Sequence, residues 1–396
     1  MSLATILMPI LILSGPLLPD IVVTLASIFY LKRFGKKFIE LIKIYWLIII
    51  FWLICIISSV LSEDIFYSLK SSAFYLRFFI YSSFIYFLLK EKLLNLSLLF
   101  FILFFVYIFL VIDSHFQYIF GNNIFGIEAS SKLRISSIFG SELILGSFLL
   151  KSFPLFVVLA IYKKKYNFIF LLPLIYSSII LSGERSTIIL SLFLLIIFFK
   201  LKMKFKYKLV NLFFILIIFL TQFFFNNQFN YNFTERVKEE VVVNIDKDTK
   251  IKTSEYNKVL PFNLFTEKHT RIYNTSYLMF LDNKLIGHGP KSFRNKCKKY
   301  DEKSCTTHPH NHIFQMLSEV GLFGFFVYFS IFLLILKSLV FSFFSKKELS
   351  EINFILCLSI ILNFFPFLPA GNFFNNYVNI IMYLPVGFYL YFKEKI

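Results

Sequence analysis

Apolar runs, most of them about 16–20 residues long, alternate with short basic connectors along nearly the whole chain. As helices, runs of that length match the hydrocarbon core of a bilayer. Two shorter runs come first, at 3–14 and 20–31, parted by Ser14-Gly15-Pro16-Leu17-Leu18-Pro19-Asp20. They predict a tight pair of spans, with one broken span as the alternative. Further spans are expected at 42–61, 70–89, 94–112, 143–162, 167–182, 186–201 and 209–225. After a long polar segment they resume at 312–337, 350–366 and 373–392. The pattern predicts an all-α integral membrane protein of about 12 transmembrane helices, with helices 1–9 in residues 1–225, a loop domain at 226–311, and helices 10–12 in residues 312–396.

Basic residues orient that pattern. The connectors at 32–37, 90–92, 163–165, 200–208, 337–347 and 393–395 carry nineteen Lys or Arg, and the short connectors between them carry only Lys132, Arg134 and Arg185. Positive connectors stay cytoplasmic, which puts both termini in the cytoplasm and 113–140, 182–186 and 226–311 outside. The net charge of +18 invites a nucleic-acid partner. Its confinement to connectors answers to topology instead, and no nucleic acid is expected. With 58% hydrophobic residues and a mean hydropathy of +0.73, a soluble protein is excluded. The first apolar run lacks a charged leading region and a small-residue cleavage site, so no signal peptide is expected. No Gly-rich phosphate loop followed by Lys-Ser/Thr occurs, which argues against an ATP-driven transporter.

The segment 226–311 is too long for a connector and reads as a small helical domain. Thr234 to Thr253 is highly charged; His269 to Phe293 has helical spacing and ends in a turn at Gly287-His288-Gly289-Pro290. Cys55 and Cys357 lie in apolar runs and read as buried small hydrophobes. Cys297 and Cys305 share the loop domain, and in an oxidising compartment they would either form a disulfide or stay as two thiols.

Candidate chemistry gathers where the loop domain meets the tenth span, at His308-Pro309-His310-Asn311-His312. Pro309 restricts the backbone and Asn311 is a favoured N-cap. His310 is the leading candidate for a general base, because imidazole titrates near working pH and takes a proton from an attacking hydroxyl. It stands beside a helix N-terminus, which favours an anion such as phosphate. An interfacial histidine that merely caps the helix is the alternative. Three alternating histidines also suggest a metal, yet the nearest acid, Glu319, is two turns away and no metal is expected. Asp246-Lys247-Asp248 matches an Asp-x-Asp metal pattern of nucleotide-sugar transferases, on the side where such sugars are absent. Arg185, in Ser182-Gly183-Glu184-Arg185, and Arg271, in Lys268-His269-Thr270-Arg271, carry permanent charges suited to phosphate oxygens. Arg77 and Lys151 fall inside apolar runs, where a cation faces a cavity or a partner. Together these cations suggest an electropositive pocket at membrane level, outside the cytoplasm, for a lipid carrying phosphates.

At this point the chain resembles the bacterial O-antigen ligase family, whose domain is shared with O-antigen polymerases and O-linked oligosaccharyltransferases. The family signature is His, then Asn, Ser or Gln, nine residues, Gly, two residues, and Gly or a substitute. Here it reads His310-Asn311, nine residues, Gly321, Leu322-Phe323, Gly324. Ser182-Gly183-Glu184-Arg185 looks like the family's Ser-Gly-x-Arg corner. Arg271 with Asp282-Asn283-Lys284-Leu285-Ile286-Gly287-His288-Gly289-Pro290 is similar to its outer-loop arginine and glycine stretch, with Lys284 where proline is usual. Asp113, Gln117, Gly121 and Phe139-Gly140-Ser141-Glu142 also look family-like.

The resemblance implies a fold like the GT-C-type lipid-linked glycan transferases, in the bacterial inner membrane, with a large periplasmic loop. It implies a metal-independent, inverting glycosyl transfer without cofactor. The donor would be O-antigen polysaccharide on undecaprenyl diphosphate and the acceptor a sugar hydroxyl of lipid A–core. His310 would be the base; Arg185 and Arg271 would bind the diphosphate, with Asn311, Arg77 and His308 as further substrate-binding residues. Polymerising repeat units and glycosylating a protein hydroxyl are sibling reactions that differ only in acceptor. A lipid-linked glycan transporter is the alternative from another class.

Overall fold

The computed structural model describes residues 1–129, 134–225, 260, 267–347 and 349–395. Among these residues every regular element is a helix. The helices are α1 (Ser2–Ile6), α2 (Met8–Leu13), α3 (Leu17–Ile44), α4 (Trp46–Val60), α5 (Ile65–Ser72), α6 (Arg77–Lys90), α7 (Leu96–Phe120) and α8 (Leu145–Tyr162). They continue with α9 (Leu171–Leu181), α10 (Arg185–Lys200), α11 (Phe205–Phe225), α12 (Glu267–Asp282), α13 (His312–Phe344), α14 (Ser350–Phe364) and α15 (Asn376–Glu394). The expected segment Thr234 to Thr253, with Asp246-Lys247-Asp248, lies outside the described residues.

A helix occupies each apolar run. Five stretches, Ile65–Lys90, Leu96–Phe120, Leu145–Tyr162, Phe205–Phe224 and His312–Phe344, are long and apolar enough to cross a bilayer. The pair α3 and α4, which meet at 93°, makes a sixth only if it is one broken span rather than a re-entrant loop. By this measure fewer helices qualify than the twelve that the runs predict: some are too short, and α15, at 19 residues, is not apolar enough. The first run is split at Leu7, and α3 loses helical geometry at Phe34 (φ −133°, ψ 26°). Asparagine caps start several helices: Asn95 accepts from the N–H groups of Ser97 and Leu98 at 3.1 Å, and Asn375 from Tyr377 at 2.9 Å. Each satisfies amides that the apolar run cannot.

The basic connectors converge at one end of the bundle. Lys37 pairs with Glu91, Lys90 with Glu394, and the Lys200 ammonium donates to the carbonyl of Ser345. At the other end Arg77 pairs with Asp20, and Asp113 and Gln117 hold the backbone at Ile124 and at Ser136 and Ser137. The Asp113 carboxylate accepts from the Ile124 N–H at 2.9 Å, and the Gln117 side-chain oxygen accepts from Ser136 and Ser137 at 3.0 and 2.7 Å.

The piece around α12 has a small core of its own, with Ile272, Tyr273, Met279, Phe293 and Cys297 buried. Cys297 and Cys305 are disulfide-bonded, their Cα atoms 5.2 Å apart. The helix expected over His269–Phe293 stops at Asp282. The residues after it leave the helical path to lie against a break in α13. At Gly321 (φ 71°, ψ −171°) that helix is interrupted. The carbonyls of Ser318 and Glu319 accept from the N–H groups of His288 and Gly289 at 3.0 and 2.8 Å. The N–H of Leu322 donates to Lys284 at 2.8 Å, and that of Phe323 to Leu285 at 3.3 Å. The loop thus supplies the bonds that the broken ladder lost. The two backbones nearly touch: a Cβ on Gly321 would sit 2.4 Å from the Leu285 carbonyl, and one on Gly287 would sit 2.5 Å from the Glu319 carbonyl carbon. The expected span at 312–337 is therefore two pieces, His312–Val320 with the loop domain and Leu322–Phe344 as the crossing.

Candidate active site

The histidine turn joins the loop domain to α13. Asn311 is extended (φ −153°, ψ 133°), and its side-chain oxygen accepts from the N–H groups of Ile313 and Phe314 at 2.9 and 3.2 Å. The amides expected to attract phosphate are thus occupied by the cap itself. His310 adopts φ 56°, a left-handed conformation that costs a non-glycine residue about 1 kcal/mol or more. Its carbonyl accepts from the Ala370 N–H at 2.8 Å, which holds the strained turn.

The Ala370 carbonyl lies 3.2 Å from His308 Nε2, and Thr307 Oγ1 lies 2.9 Å from His308 Nδ1. A carbonyl only accepts, so Nε2 carries the proton and Nδ1 accepts from the threonine hydroxyl. Both ring nitrogens of His308 are engaged, which makes it a support for the turn. Its ring is 4.0 Å from that of His310, centroid to centroid. His312 is buried and turns the other way, with Phe373 and Tyr328 at 5.4 and 6.3 Å. Among the described residues no group of three or more His, Cys, Asp or Glu converges as a metal site.

Burial, reinforced by His269 and then Lys268, holds the imidazole of His310 down to about 4. Burial and the neighbouring His310 hold His308 down to about 3. Both rings are therefore neutral near pH 7, the state a general base needs.

His269, 6.2 Å from His310 between ring centroids, stands in the first turn of α12, with Arg271 two residues further along the helix. Arg271 is committed to a partner. Its Nε donates to Asp301 Oδ2 at 3.1 Å, and its Nη2 to Oδ1 and Oδ2 at 3.2 and 3.0 Å. That carboxylate orients the guanidinium and offsets part of its charge. Arg185 stands on a separate corner, half-buried, as the first residue of α10. Its neighbour Glu184 accepts from the N–H groups of Gly146 and Ser147 at 2.8 and 3.2 Å and from Thr187 Oγ1 at 3.0 Å, tying the corner to the start of α8. Lys151 on α8 is within electrostatic range of both Glu184, in this corner, and His312, in the histidine turn. Arg77 is ion-paired with Asp20 at 2.5 Å and packs on the Phe78 ring at 4.8 Å, so it locks α6 to α3.

Several residues that matter here carried no pattern. Gln315 donates to Glu319 and to Asn372 at 2.9 Å each, and its oxygen accepts from the Phe373 N–H at 2.9 Å. Glu319 accepts from the N–H groups of Lys291 and Phe293 at 2.9 and 3.2 Å. This pair clamps both loops that flank the turn. Two polar side chains four apart in an apolar helix were the one available signal. Asp301 had none. Beneath the turn, a largely apolar cavity of about 470 Å³ runs from Tyr328 and Phe373 to Lys337 and Lys393.

Residues 148–329 match the family model described as O-antigen ligase. Over this stretch the chain is similar to the O-antigen ligase family. No curated protein matches the chain. The O-antigen ligase match takes in the Arg185 corner, α12, the Gly287–Gly289 loop and the whole signature from His310 to Gly324. It begins after α7, so Arg77 and α5 fall outside it.

Proposed function

We propose that this protein transfers O-antigen polysaccharide from undecaprenyl diphosphate to a sugar hydroxyl of lipid A–core, with inversion and without a metal. His310 accepts the proton of the attacking hydroxyl as the hydroxyl oxygen bonds to the anomeric carbon. The bond from that carbon to the diphosphate oxygen breaks, and undecaprenyl diphosphate leaves as an anion. Its charge is met by Arg185 and Arg271, the second held in direction by Asp301. Twelve crossings with both termini in the cytoplasm set this site in the periplasm; gathering of the basic connectors at one end supports that orientation. The Cys297–Cys305 disulfide supports it as well, since disulfides persist in oxidising compartments. The apolar cavity below His312 suits a polyprenyl chain.

The observation that carries the reading is a neutral imidazole on a strained turn beside the helix that bears Arg271. The sibling reactions use the same site and differ in acceptor. The test is transfer in vitro with purified lipid-linked donor and candidate acceptors, with and without chelator. His310→Ala should lower the rate by about 10²–10⁴. Arg185→Ala and Arg271→Ala should abolish transfer while the protein still inserts. Transfer that survives His310→Ala overturns the mechanism; near-normal rates in both arginine variants remove the clamp.

A further inference from the structure

A second group of cations lies on the other side of the histidine turn. Lys291 has φ 64°, a left-handed backbone, and is held there by its N–H bond to Glu319. Its half-buried ammonium is within electrostatic range of Arg294, Arg77 and Lys70. Burial, with those like charges, holds it below the ordinary lysine range, and Glu319 offsets only part of this. Arg77 is neutralised by Asp20, and Glu319 spends its oxygens on backbone N–H groups and Gln315. The other nearby acids are also taken: Glu63 pairs with Lys296, and Asp64 accepts from Asn295. The ammonium groups of Lys70 and Lys291 have no hydrogen-bond or ion-pair partner among the described residues, and Arg294 reaches only the Tyr67 hydroxyl, at 3.5 Å.

Unmatched cations beside exposed aromatics define a ligand chemistry. On α5 and just after it, Phe66 is 89% exposed and Phe74 58% exposed. Water would leave those rings unsatisfied, whereas at a lipid–water boundary rings face acyl chains and cations face headgroups. Arg294 is also within electrostatic range of His308, so the group reaches the neighbourhood of the turn.

We propose that Lys70, Lys291 and Arg294 form a binding site for the phosphate of a membrane lipid, whose chains lie on Phe66 and Phe74, separate from the Arg185–Arg271 clamp. As a seat for a second lipid it fits the acceptor. That role rests on the proposed transfer, whereas the binding does not.

The experiment is native mass spectrometry of the full chain in detergent, titrated with dioleoyl phosphatidic acid and, separately, dioleoyl phosphatidylcholine. The wild type should prefer phosphatidic acid by about tenfold or more, one charge-assisted contact being worth about that factor. K70Q/K291Q/R294Q should lose the preference. The exposed single changes K70Q and R294Q, which leave the fold intact, should each weaken it about threefold. R185A/R271A and H310A should keep it. No preference in the wild type, an unchanged preference in the triple variant, or its loss in R185A/R271A overturns the site. If H310A retains both transfer and the lipid preference, the proposed mechanism fails while this site stands.

Discussion

Replacing Gly321 by alanine tests the break in α13 most directly. At φ 71°, ψ −171° the residue occupies a region open essentially only to glycine, which costs other residues about 1–3 kcal/mol. The added methyl would also lie 2.4 Å from the carbonyl carbon and oxygen of Leu285 and 2.5 Å from the Ile286 nitrogen. Backbone atoms cannot swing aside, so the 284–289 loop must retreat. Its retreat gives up the four backbone hydrogen bonds that bridge it to α13, at about 0.5–1.5 kcal/mol each. The sum is roughly 3–9 kcal/mol, a large part of the stability of an ordinary domain. Thermal unfolding of the purified protein in detergent, with limited proteolysis across residues 283–292, reads both effects. Gly35→Ala is the control, since a Cβ there meets nothing within 4 Å and the backbone is not left-handed. An unchanged unfolding temperature and an uncut loop in Gly321→Ala would refute the crossing. Transfer should fall too, because His312–Val320 carries the histidine turn.

Two further outcomes are expected. His310 must be neutral to accept a proton, and burial, His269 and Lys268 hold it down to about 4. The acid limb of kcat/KM should therefore lie near pH 4, with the rate falling as pH drops through it. Lys268→Ala removes a cation and should move the limb to higher pH; a wild-type limb at 6.5 or above contradicts the assignment. Replacing both Cys297 and Cys305 by serine should cost the loop domain about 2–3 kcal/mol for so short a loop, read as a lower unfolding temperature matching that of reduced wild type. Two free thiols by non-reducing mass spectrometry would disprove the bond.

What the amino-acid order determined by itself is what depends on local chemistry and composition. Apolar length and the placement of lysines wrote the helices and their alternation, since the bilayer penalises each span separately. Asn311 as a cap, Pro309 as a restraint and the His310-to-Gly324 spacing were legible because capping and turn preferences act over a few residues. The role of Gly321 was not. Its spacing was visible, but only the meeting of two backbones distant in sequence explains why no side chain fits. The same holds for Asp301, thirty residues from the arginine it orients, and for Gln315 and Glu319, whose partners come from two loops. Tertiary structure also decided that Arg271 comes with a carboxylate and that Asn311 fills the helix start itself. Nothing in the sequence sets Lys291 and Arg294 apart from other loop charges; the fold places them near Lys70 and the exposed rings of α5. Partners of this kind are chosen by geometry across the fold, and neither periodicity nor composition records which distant groups converge.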